Sequence, residues 1–132
     1  MALRIELKPN ERIIIGRIAL TNGPSRTSFT VEGRAPILRC KDIITPEQAD
    51  TACKQLYLLV ERVYLEEIPF EAALDRFHAL AEQIVAAAPS TKRFLEVMTA
   101  CFAQESHYRA LKVGRKLIEY EASLIKMSSE AA

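Results

Sequence analysis

Hydrophobic residues follow two different periods along this chain, and the change falls near residue 44. In the first part, Leu3, Ile5 and Leu7 alternate with Arg4, Glu6 and Lys8, the two-residue period of a strand with one buried face. Pro9 and Asn10 break that strand. Ile13, Ile14 and Ile15 form a continuous β-branched run, as in a strand covered on both faces, and Gly16 marks a turn before Ile18, Ala19 and Leu20. Turn residues collect at positions 21–25, after which Thr27, Phe29 and Val31 alternate with Ser28, Thr30 and Glu32. A last strand is predicted over residues 37–41, with Arg39 and Lys41 projecting on one side.

Beyond Ile44 the period lengthens to that of helices. Thr45, Pro46 and Gln48 make a helix start, with Thr45 as cap and Gln48 completing a capping box. Ala49, Ala52, Cys53, Leu56, Leu59, Val60 and Val63 trace an apolar face running to about Leu65. A second helix is expected from Phe70 to about Ala88 and a third after Ser90 or Thr91. The density of Phe94, Leu95, Val97, Met98, Cys101 and Phe102 predicts the third to be the most buried. A fourth begins near Ser106 or His107. The sequence therefore predicts an α+β protein: a small antiparallel β module over residues 2–44, packed on a bundle of about four helices over 45–126, with a flexible tail at 127–132.

Charge changes this picture more than composition does. The whole chain is nearly neutral, with 18 basic and 17 acidic residues, but the first 44 residues carry a basic surplus of about four and the remainder an acidic surplus of about three. That asymmetry predicts an anion-facing strand module joined to a helical module facing protein or water. The three cysteines have no CxxC spacing and are expected as small buried residues of a reduced protein. No apolar run is long enough to span a bilayer and the N-terminus has no signal-like segment, so a cytoplasmic location without membrane association is expected.

Catalysis is not indicated. His78 and His107 are the only histidines, neither stands in a hydrolase or metal-binding pattern, and the four isolated glycines form no phosphate loop. No enzyme activity, cofactor or metal is expected. The suggestive set is Arg4, Lys8, Arg39 and Lys41, because first and last strands of a small sheet can lie side by side and gather these cations against phosphates or unstacked RNA bases. Arg12, Arg17 and Arg34 would steer such a ligand electrostatically. A solvated strand face paired with Glu6 and Asp42 is the plainer alternative, and the strands lack an interleaved aromatic platform. A second cationic group, Arg109, Lys112, Arg115 and Lys116, reads as a solvated helix face or as a track for a backbone or an acidic helix.

The segments MALRIELKPNERIIIG, RAPILRCKDIITPEQADTACKQLYLLV, AAPSTKRFLEVM and YRALKVGRKLIEYE together resemble the FlbT family of flagellin-synthesis regulators over nearly the whole chain. The resemblance implies a cytoplasmic bacterial regulator that binds the 5′ leader of flagellin messenger RNA and controls its translation and stability, usually as a repressor. It also implies a FlaF-type flagellar protein in the same circuit. A fainter likeness joins residues 10–16 and 35–43 to the carbon storage regulator family, CsrA, a strand-swapped dimer in which the first and last strands contact messenger loops. Asn10 stands where that motif has glycine, Leu7 where it has a first-strand arginine, and its last-strand arginine falls on Lys41 or on Cys40. The other reading is a protein-interaction module whose helices bind FlaF, flagellin or a second copy of the chain, with any effect on RNA indirect. An exposed sheet edge would also allow a strand-paired homodimer.

Overall fold

A computed structural model of the chain describes residues 2–131. It is an α+β fold of five antiparallel strands followed by four α-helices. The chain divides into two compact units, Met1–Ile43 and Ile44–Ala132.

In the first unit, β1 (Ala2–Leu7) pairs antiparallel with β4 (Thr27–Glu32), while β2 (Arg12–Ile15) pairs with both β3 (Ile18–Thr21) and β5 (Ile37–Arg39). The alternation in β1 works as the sequence pattern requires: Ile5 and Leu7 are buried with Ile13, and Ile15, Phe29, Val31 and Ile37 pack against them. Leu3 is the exception and stays exposed. A two-residue turn joins β2 to β3, with Gly16 at φ +62°, the left-handed backbone that primed hairpin turns need. Asn10 takes the same region at φ +63°. Asparagine tolerates it, so a glycine is not required at that turn.

Two expectations about the strands are corrected. The first and last strands do not pair, since β1 belongs to the ladder with β4 and β5 to the ladder with β2. The last strand also stops at Arg39, and Cys40–Asp42 forms a short 3-10 turn. Register explains the stop. Ile13 faces Arg39, so Lys41 would have to pair with Glu11, whose amide instead donates to the Lys8 carbonyl in a tight turn.

In the second unit, α1 (Ala52–Tyr64), α2 (Phe70–Ala87), α3 (Lys92–Ala103) and α4 (His107–Ala131) form the helical set. α4 packs along α1 and α3, and α1 along α2. Leu56, Val60, Phe77, Leu80, Met98, Phe102 and Leu117 are fully buried, and the rings of Phe77 and Phe102 stack with centroids 4.3 Å apart. Gly114 lets helices approach closely: a Cβ there would stand 3.0 Å from Tyr57 Cδ2 and 3.3 Å from Met98 Cε.

The predicted capping box at Thr45 and Gln48 forms, but it caps only a 3-10 turn, Pro46–Gln48. The α-helix starts at a second cap, where Thr51 Oγ1 accepts from the Lys54 amide. α3 is less buried than its composition suggests, because Val97 is 50% exposed and Phe94 and Cys101 are half-buried. At the other end, α4 continues to Ala131, so the segment expected as a tail from Met127 is helical over its described residues.

Candidate nucleic-acid interface

A cleft of about 460 Å³ opens in the first unit, and Lys8, Arg26, Arg39 and Lys41 all line it. Glu6, Glu11, Thr27 and Ser28 complete its polar wall. Its shape depends on Glu11. One oxygen of that carboxylate accepts from the Lys8 amide at 2.9 Å, and the other forms an ion pair with Arg39 Nη1 at 3.1 Å. The same nitrogen donates to the Glu6 carbonyl at 3.1 Å. The Lys8 amide, and then the Arg39 guanidinium, hold the Glu11 carboxyl below its usual value against a desolvation effect.

Asn22, outside the cleft, braces residues that line it. Its side-chain nitrogen donates to the carbonyls of Leu7, Lys8 and Ser25, and its oxygen accepts from the Gly23 amide and the Thr27 hydroxyl. One amide thus ties the end of β1 to the start of β4. The cleft presents cations on a frame braced by hydrogen bonds, an arrangement able to hold an anion such as a phosphodiester.

The sequence-predicted cations divide into three groups. Lys8, Arg39 and Lys41 meet at the cleft, although Arg39 is engaged by Glu11 and so shapes the site. Arg4 lies outside it, exposed on β1 with its Nε donating to Ser28 Oγ and a loose ion pair to Glu6 at 3.5 Å. Arg12, Arg17 and Arg34 are exposed at the start of β2, at the β2–β3 turn and in the turn after Gly33, and none lines the cleft. Arg26 is the residue the sequence reading missed. It precedes β4 in a turn, where no periodicity assigns a direction, and only the register of β1 with β4 brings it beside Lys8. Lys8 and Arg26 enter no salt bridge among the described residues.

The helical unit holds different chemistry. Glu61 is buried in α1, where its Oε1 accepts from the Ile44 amide at 2.8 Å. Burial pushes its carboxyl up to about 7, opposed by that hydrogen bond and reinforced by Glu67. Cys53 is buried too, its thiol pushed up to about 12 by burial and by Glu121, which makes it a poor nucleophile. Cys40, expected to be buried, is exposed, since it sits in the turn that replaces the end of the strand. An apolar groove of about 740 Å³ runs between α2 and α3, walled by Ala81, Val85, Leu95, Thr99, Ala100 and Ala103. Among the described residues no cluster of His, Cys, Asp or Glu side chains is arranged to hold a metal ion, and no helix is long and apolar enough to cross a membrane.

Fold and site together define a two-unit α+β protein with a cationic cleft on its strands and an apolar groove on its helices. Residues 3–125 match the family described as flagellar protein FlbT, and the chain belongs to that family. It is 41% identical over 126 residues to the "Probable flagellum biosynthesis repressor protein FlbT" of Rhodopseudomonas palustris, covering 95% of this chain and 98% of the relative. A Bradyrhizobium diazoefficiens protein, "Probable flagellum biosynthesis repressor protein FlbT 1", is 42% identical over 125 residues, covering 94% and 85% of the two chains. The "Flagellum biosynthesis repressor protein FlbT" of Caulobacter vibrioides is 32% identical over 127 residues, covering 92% and 87%. No solved structure matches the chain.

Proposed function

We propose that this protein is a non-enzymatic regulator of flagellum biosynthesis that acts in the cytoplasm by binding the 5′ leader of flagellin messenger RNA, lowering its translation and lifetime. The convergence of Lys8, Arg26, Arg39 and Lys41 on one cleft is the observation that carries the reading. The names of the relatives, which call them flagellum biosynthesis repressors, support its regulatory side. In this reading Lys8, Arg26 and Lys41 neutralise backbone phosphates, while the Glu11–Arg39 pair keeps the cleft in shape. The Ser28 hydroxyl accepts from Arg4 Nε and keeps its own proton to donate to a phosphate oxygen, whereas that of Thr27 is committed to the Asn22 brace. Exposed Arg4, Arg12, Arg17 and Arg34 steer the message from a distance.

The test is a filter-binding titration of leader RNA at several salt concentrations. Replacing Lys8 and Arg26 together by Gln is expected to reduce the salt slope by about 1.4, which is about 0.7 for each phosphate contact on a single strand. An unchanged slope and affinity would sink the reading.

One observation favours a second reading. The groove between α2 and α3 is apolar and open, as a site for the apolar face of a helix from a FlaF-type protein or from flagellin would be. A gel shift of the leader that appears only after such a partner is added would favour this reading over direct binding.

A further inference from the structure

Among the described residues, the cations that stand over aromatic rings all belong to the helical unit. Arg109, Lys112 and Lys116 are exposed on α4 at spacings of three and four residues, which places them on one face of the helix. Tyr120, one turn beyond Lys116, continues that face. Its ring lies 5.1 Å from the ring of Phe94 on α3, and its hydroxyl hydrogen-bonds Ser90 at 2.6 Å, which holds the ring in place. The guanidinium carbon of Arg93 stands over both rings, 4.8 Å from the Phe94 centroid and 5.2 Å from that of Tyr120. At the other end of the face, Lys112 Nζ lies 5.1 Å from the Tyr108 centroid. From Arg109 to Tyr120 the stripe is ~16 Å long.

We propose that this face of α4, with the Arg93 platform at its end, is a second contact for single-stranded RNA. The lysines and Arg109 follow the phosphate backbone, and a splayed base stacks on Arg93, whose guanidinium the two rings support from beneath. Single strands are held by this combination of a positive track and planar stacking groups. An acidic protein helix would use the track but has no need of the stacked guanidinium. Glu119 flanks the far end and limits how much backbone the face neutralises. The inference rests on the RNA-binding reading and assigns that reading a second site, located in the helical unit.

The test uses the full-length protein and a fluorescein-labelled oligouridylate of about fifteen nucleotides, near the upper site size of single-strand binders, beside the same strand with abasic sites. Anisotropy is followed across a salt series. Replacing Lys112 and Lys116 by Gln is expected to lower the salt slope by about 1.4. Arg93→Lys keeps the charge and the slope, but is expected to weaken oligouridylate binding on the order of tenfold and leave abasic binding unchanged. Both variants alter exposed side chains, and an unchanged thermal midpoint confirms that each is folded. If the Lys8 and Arg26 variant loses leader binding while the α4 and Arg93 variants behave as wild type, the RNA reading stands and this second site is overturned. If the wild-type protein binds neither RNA, both are overturned.

Discussion

Glu61 has the most distinctive titration of the single residues described. Its carboxyl is raised from an ordinary 4.5 to about 7, chiefly by burial. The folded protein therefore holds this proton between those two values while the unfolded chain releases it. The stability it contributes is fully present below about 4.5 and is lost as pH rises through about 7. Glu61→Gln keeps an oxygen for the Ile44 amide and removes the titration, so it is expected to flatten the decline of stability between pH 5 and 7 in urea unfolding. An equal pH dependence in the variant would show that other groups set it. Nothing in the sequence marked this residue, because a glutamate in an amphipathic helix looks the same whether it faces water or a buried amide. The cleft cations were partly legible for a related reason. Alternation told where Lys8 and Arg39 pointed, but Arg26 sits in a turn and its place depends on a pairing 20 or more residues away in sequence.

The strands and helices were legible to the extent that local period decides them. α2, α3 and the start of α4 fall within a residue or two of the positions their apolar spacing and caps predicted. The order of strands within the sheets did not, since alternation says which face is buried and not which neighbour supplies the hydrogen bonds. The start of α1 shows two local signals competing: the box at Thr45 is sound chemistry but closes only one 3-10 turn, and Thr51 caps the helix proper. Close approach between helices is likewise invisible in a period. At Gly114 the neighbouring atoms belong to Tyr57 and Met98, both buried, so neither has room to withdraw. Gly114→Val is expected to destabilise the protein by about 2 to 3 kcal/mol through overpacking, more than its improved helix propensity returns. A urea midpoint at or above that of the wild type would show that the interface yields.

For the molecule as a whole, charge and chemistry are distributed unevenly between the two units. Basic surplus and the cationic cleft belong to the strands, while the apolar groove and the stacked Arg93 belong to the helices. The division follows from folding physics. A small two-ladder unit has little interior, so its charged side chains crowd the surface around one apolar cluster, whereas four helices enclose a larger core and still leave grooves between them. The lifetime of the folded protein also bears on one bond network at the cleft. Asn22 precedes Gly23, the sequence in which the following backbone nitrogen most readily attacks the asparagine side-chain carbonyl carbon, expelling ammonia to give a succinimide that water then opens to aspartate or isoaspartate. Here that amide is held by three carbonyls, and the Gly23 nitrogen already donates to its oxygen, which keeps the nitrogen from turning to attack. Peptide mapping after prolonged storage is expected to find Asn22 intact in folded protein and converted in urea-unfolded protein. Equal conversion in both would mean the network gives no protection. The hydrogen bonds that brace the cleft thus also slow its chemical ageing, and a molecule that has once unfolded for long enough would return with a carboxylate facing three carbonyls where the brace had been.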